Sequence, residues 1–298
     1  MTDVTIQIDN PMEIPFRRNG FIRFLNVFLG RKVVVFGAAI ILALIVAAIF
    51  APIISPYDPY SQNLSESLQP PSRAHLLGTD RFGRDVLSRI IYGTRVSLLV
   101  GIVSVGSAAF IGMTLGLIAG YFGRFINTLI MRFIDALMAI PPIMLALAIA
   151  SALGGGLWNV IISLGISLIP TQARLMHGQV LTVKQADYIT AGEVIGASDW
   201  RIMIKHVFPN CLPPLIVLIT LNLGVAILAE SALSFLGVGI RPPGAAWGSM
   251  VNDGYQYLLS NPILSFAPGF AIMLVVLAFN IVGDGLRDAL DPRLRGTI

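Results

Sequence analysis

Few residues in this 298-residue chain have a type and spacing that suit chemistry. The three histidines, His75, His177 and His206, are scattered along the sequence, so no metal site is expected. The single cysteine, Cys211, excludes an internal disulfide and a Cys-based zinc site. No phosphate-binding G-x-x-x-x-G-K-S/T loop is present, so ATP is not expected to bind this chain through one. There is no G-x-S-x-G and no H-E-x-x-H. The expectation is no catalytic residue, no metal and no cofactor in this chain. Asp135, Glu230 and Asp284 sit near the ends of apolar segments. Ionisable groups inside a membrane span are functional candidates by default, but at span ends they more often anchor or pair. No charge falls in the middle third of any apolar segment. That argues against a proton- or sodium-coupled carrier with a charged central site, and a membrane-embedded enzyme would need a polar cluster that the sequence lacks.

What remains is the chemistry of packing, docking and bending. Ser104, Ala108, Gly112, Gly116 and Gly120 recur at every fourth residue and form a ridge on one helix face. Glycines at such positions let a second helix approach closely in lipid, here more readily within the chain than between subunits. Pro141 and Pro142 remove two backbone donors inside an apolar stretch, which makes a structural kink or a gate. Residues 174–206 form a polar loop too long for a simple turn between helices. They read as a short helix to Ile195, a break at Gly196-Ala197-Ser198, and a second helix over 200–206 capped by Ser198 or Asp199. Trp200 suits an interface anchor; the bland alternative is an amphipathic pair lying on the membrane.

The elements that carry these features are membrane spans. Hydrophobic residues make up 55% of the chain and charged residues 12%, against about 25% charged in soluble domains. Mean hydropathy is +0.80. A soluble enzyme, a disordered protein and a nucleic-acid binder are excluded; the net charge of +4 suits basic loops at a membrane. Crossing the bilayer takes ~20 apolar residues as a helix. Six stretches qualify: 33–54, 96–122, 133–153, 157–173, 207–229 and 262–282. All are read as helices, because backbone groups in hydrocarbon must pair within their own segment. The first resembles a signal peptide in position, yet 32 residues precede it and no A-x-A site follows, so a retained anchor is expected. With the N-terminus inside, 14 of the 20 Lys and Arg residues fall on the inner side. That predicts an all-α, multi-pass membrane protein with both termini in the cytoplasm. Residues 1–32 form a polar tail and a basic surface helix, 33–298 the transmembrane domain, and 55–95 a long outer loop. Within that loop Val86, Leu87, Ile90 and Ile91 share one face, with Arg84, Asp85, Ser88 and Arg89 opposite. This reads as an interfacial helix or as a docking surface for a soluble partner.

Thr190-Ala191-Gly192, then Gly196, then Pro209 thirteen positions later resembles the "EAA" loop of bacterial ABC importer permeases. Thr190 and Gly192 depart from the family's Glu and second Ala, and His206 from its usual Ile. The stretches HLLGTDRFGRDVLSR (75–89), ALSFLGVGIRPPGAAWGSM (232–250) and LAFNIVGDGLRDALDPRLRG (277–296) are similar to the C-type permease of dipeptide, oligopeptide, nickel and glutathione importers. The resemblance implies the type I importer permease fold in the inner membrane. It implies a pore shared with a homologous B-type permease, two ATPase subunits that bind ATP and Mg2+, and an extracytoplasmic binding protein. The substrates it implies are di- or oligopeptides, or alternatively nickel, glutathione or another small ligand. Carried onto this chain, the ATPase-coupling residues are Thr190, Ala191, Gly192, Gly196, Ala197, Ser198 and Pro209. Pro242, Pro243 and Trp247 are expected on the outer face, receiving the binding protein or simply packing their loop.

Overall fold

A computed structural model describes residues 20–241 and 243–290 of the chain. The described residues hold no β-strand, only an isolated bridge between Thr79 and Asp85. A surface helix α1 (Gly20–Gly30) leads into α2 (Lys32–Ile54), which is apolar on all sides. The outer loop then folds back on itself and delivers the chain to α3 (Val86–Phe122). Next come α4 (Arg124–Met138), α5 (Pro142–Leu153), α6 (Leu157–Lys184), α7 (Asp187–Val194) and α8 (Asp199–Ile202). A π-turn at Met203–Val207 joins α8 to α9 (Phe208–Phe235), followed by α10 (Trp247–Tyr255) and α11 (Ile263–Leu290).

Five helices are individually long and apolar enough to cross a membrane, and the α4–α5 pair is bent by 85° at its break. That pair is one broken crossing, because its two ends lie on opposite faces. It leaves Gly123 at the C-terminal end of α3 and arrives at Gly154–Gly156. There the Arg241 guanidinium donates to the Gly154 carbonyl, and Gly156 N–H donates to Gly239 O at 2.9 Å. Residues 239–244 lie at the other end of α3, where Arg89 reaches the carbonyls of Pro243 and Gly244. With a rise of ~1.5 Å per residue, α3 separates those two faces by roughly 55 Å. Six crossings result, and an even number returns the chain to its starting face: Arg31, before α2, pairs with Asp288 near the end of α11.

Four expectations need correction. The helix that carries the second span starts not at 96 but at Val86, capped by Asp85, which accepts from Ser88 N–H at 2.8 Å. The interfacial-helix reading of 84–91 fails because both faces are covered: Arg84, Asp85, Ser88 and Arg89 are buried along with Val86, while Leu87, Ile90 and Ile91 are half-buried. Arg84 and Arg89 pair with Asp80, Asp85 pairs with His75 and accepts from Ser88, and Arg89 also donates to remote carbonyls. The prolines at 141–142 break the third span into two helices rather than kink one, since Pro142 starts α5 as a new N-terminus. The helix of the fourth span runs through Pro170 to Lys184, so the break in helix expected from 174 comes only at Gln185. The last two spans also extend, to Phe235 and Leu290.

The small-residue ridge explains the central pair. A Cβ at Gly112 would stand 2.7 Å from Gln172 Cβ, at Gly116 2.8 Å from Met176 Cβ, and at Gly120 2.8 Å from Val180 Cβ. Real Cβ contacts do not come that close, so α3 and α6 meet backbone against backbone along three helical turns. This ridge packs inside the chain and fixes where α6 delivers the loop that follows it.

Candidate coupling site

Two short helices hang below the α3–α6 pair. Helix α7 opens with Asp187, whose carboxylate suits the positive end of the helix dipole. It ends in a Schellman motif: Gly196 N–H donates to Glu193 O and Ala197 N–H to Gly192 O, both at 3.0 Å. Gly196 takes φ +80°, the left-handed conformation that glycine adopts without a Cβ penalty. The chain then turns at Ser198 into α8. Ser198 holds the N-cap position with extended backbone, but its side chain makes no cap hydrogen bond. Asp199 is not a cap either; its carboxylate accepts from Tyr121 Oη at 2.9 Å. The second helix is a single α-turn that loosens into the π-turn before Pro209, which sits in the first turn of α9 as expected for re-entry.

The loop is held rigidly. Ile189 of α7 and Ile202 of α8 are each 1% exposed, in one cluster with Leu117, Tyr121, Met176, Val180, Met203 and Val207. Burying an isoleucine contributes about 1.5–3 kcal/mol, so these two residues seat both helices on the ends of α3 and α6. Lys184, the last residue of α6, ties that helix to α3: its Nζ donates to Tyr121 O at 2.8 Å and lies 5.0 Å from the Tyr121 ring centre. Helices α7 and α8 are thus packed against α3, α6 and the start of α9.

The opposite side of the loop is open. Thr190, Ala191, Gly196 and Ser198 are exposed, and Gly192 and Ala197 are half-buried. Nothing lies within 4 Å of the position a Cβ would take on Gly196. Val194 is 81% exposed, Ile195 82% and Trp200 69%. Three large apolar side chains thus surround a bare glycine turn, an exposed apolar patch of the kind that marks an interaction surface. Sequence reasoning selected the glycine turn and Trp200 but missed Val194 and Ile195. Their signal was present: two aliphatic residues close a short helix just before its terminating glycine. It also missed Tyr121, Lys184 and Asp199 as the ties, because they join three separate segments.

The outer face holds the other candidates. Trp247 is fully buried, its Nε1 donating to Ile90 O at 2.9 Å and its ring against Gly93 of α3. It has no surface to offer a docking protein and belongs to the joint between α10 and α3. Pro243 is exposed, and its carbonyl accepts from Arg89 at 3.4 Å. Pro242 lies outside the described residues. The 75–89 motif is a folded cap: His75 Nδ1 lies 2.9 Å from Asp85 Oδ1, Arg84 Nε donates to Asp80 at 2.6 Å, and Arg89 donates to Pro59 O at 3.1 Å.

Residues 112–296 match the family described as the inner-membrane component of binding-protein-dependent transport systems. Residues 21–71 match the N-terminal transmembrane domain of oligopeptide transport permease C. A dipeptide transport system permease of Alkalihalophilus pseudofirmus is 46% identical, covering 89% of this chain and 87% of the relative. A glutathione transport system permease of Pectobacterium atrosepticum is 41% identical, covering 96% and 94%. Among solved structures, an inward-facing methionine ABC transporter superposes with a TM-score of 0.56 at 21% identity, over 69% of this chain and 97% of that one. At that identity the likeness shows the fold, which is that of an ABC importer permease. ATP hydrolysis in such systems lies outside the permease subunit, and the chain is a multi-pass protein of the bacterial inner membrane. From the family match, the relatives and the shared fold, the chain belongs to the inner-membrane components of binding-protein-dependent transport systems, as a permease subunit of an ABC importer.

Proposed function

We propose that this chain is the C-type half of a heterodimeric pore, paired with a homologous B-type permease, that imports di- or oligopeptides. The observation that carries the substrate class is the relatives named for dipeptide transport, 46% and 44% identical over 87–89% of this chain. The glutathione relative favours a second reading, import of that modified tripeptide through the same pore.

In this reading the surface around Gly196 docks in a cleft of one ATPase subunit. Thr190, Ala191, Gly192, Ala197 and Ser198 supply the close backbone approach, and Val194, Ile195 and Trp200 supply apolar anchors. ATP and Mg2+ are held by the ATPases and not by this chain. Closure of the ATPases pushes α7 and α8. Ile189, Ile202 and the Tyr121–Asp199 bond pass that push to α3, α6 and α9. The broken α4–α5 crossing offers a natural place for the bundle to flex, since its two halves share no continuous backbone ladder.

The test is reconstitution in vesicles with the B-type permease, both ATPases and the binding protein. ATP-driven uptake of a labelled dipeptide exceeding that of glutathione supports the peptide reading. The reverse order selects glutathione, and uptake of neither overturns both.

A further inference from the structure

Four arginines converge on a cavity of about 530 Å3 between the folded outer loop and the segment that joins α9 to α10. Arg84 and Arg89, each 3% exposed, form its wall, while Arg81 and Arg241 stand at its rim. Asp253 is the acidic residue that lines it, 2.9 Å from Arg81. Asp80 backs the wall, 2.6 Å from Arg84 and 3.6 Å from Arg89. Two carboxylates thus face four guanidiniums, an excess of two positive charges around one concavity. The donors are also incompletely used. Arg81 Nε is buried and finds no acceptor among the described residues. Arg241 reaches solvent on the outer face and, among the described residues, donates only to the Gly154 carbonyl.

A concave site with surplus guanidinium donors selects a carboxylate, which accepts two parallel N–H bonds from one arginine. The geometry points to an acidic side chain of the extracytoplasmic binding protein as the occupant: we propose that this cavity receives it when the binding protein docks. A passing cargo is the poorer fit, because conduction needs sites weak enough to leave, and a cluster of four guanidiniums, two of them buried, holds a carboxylate firmly. A docking protein gains from the same feature, since an unbalanced charge in a cleft speeds encounter and fixes register. Pro243 and Arg241 sit exposed at the mouth, so the opening faces the side from which that protein arrives. The inference rests on the importer family and is independent of which substrate is carried.

The test uses the complete importer in lipid nanodiscs and its own purified binding protein, with association followed by surface plasmon resonance over a sodium chloride series. Arg81→Gln/Arg241→Gln changes only the rim and leaves the buried pair intact. We expect association on the order of tenfold slower at low salt, with a flatter dependence on salt. Arg81→Lys/Arg241→Lys keeps the charge and should stay close to wild type. The single Arg241→Gln variant, expected to fall between, carries the test if the double variant fails to assemble. Unchanged association for the Gln variants in intact complexes overturns the proposal. So does equal loss in the Gln and Lys variants, which marks a packing role. Normal docking with impaired uptake at saturating binding protein also overturns it, and assigns the cavity to the cargo instead.

Discussion

Substitution at Gly196 separates folding of the coupling loop from its docking. An L-residue at φ +80° costs roughly 1–2 kcal/mol, and asparagine, which favours the left-handed region, costs less. No clash adds to this, because the space around Gly196 is open to 4 Å. Against that strain stand Ile189 and Ile202, fully buried, contributing together about 3–6 kcal/mol. The loop therefore stays seated in Gly196→Asn and largely so in Gly196→Ala. If the bare turn touches the ATPase, both variants still weaken ATPase association by adding a side chain at the contact. Gly196→Asp, with bulk and charge, should abolish association or uncouple hydrolysis from transport. Thr182→Asp, exposed in the last turn of α6, is the control and should transport normally despite about 0.3–1 kcal/mol of unfavourable dipole interaction. The assay is paired measurement of ATP hydrolysis and uptake in the reconstituted importer. Normal coupled uptake with Gly196→Asp incorporated would refute the reasoning.

Three further outcomes are expected. Gly112→Leu/Gly116→Leu forces α3 and α6 apart and should remove the folded peak in size-exclusion chromatography, since overpacking costs about 1–3 kcal/mol per site even where neighbours can yield and here they are backbone. Trp247→Ala should destabilise by about 3–5 kcal/mol, read as a lower melting temperature in detergent, while intact complexes keep wild-type affinity for the binding protein. With the buried Cys211 replaced by alanine, Ser65→Cys should label in intact cells with a membrane-impermeant reagent and Gln185→Cys should not; labelling at 185 would reverse the orientation.

Span number, helix class and the glycine ridge were legible in the sequence because each is local: hydrophobic runs and a four-residue period need only one segment. The boundaries were not. Arg89 in the first turn of α3 reads as a loop residue, yet its guanidinium finds the carbonyls of Pro59, Pro243 and Gly244, which no window of sequence contains. Pro170 reads as a helix end, but the close packing of α6 on the α3 ridge outweighs one missing backbone donor. At the coupling site, Gly196 was legible because a positive-φ turn demands a glycine. The ties through Tyr121, Lys184 and Asp199 were not, because they depend on where α3 and α6 end relative to the loop. At Trp247 the sequence left binding-protein contact and loop packing both open, because residue type alone does not tell an interface anchor from a buried joint; its burial decides for packing.

The claim that this loop transmits ATPase motion is tested most directly by cross-linking. Ile195→Cys in the Cys211→Ala background places one reactive thiol on the exposed rim of the Gly196 turn. In inside-out vesicles of the assembled importer, a short bifunctional reagent should join this position to an ATPase subunit. The yield should change when ATP closes the ATPase pair. Absence of any ATPase adduct from 195 in a complex that still transports would contradict the account.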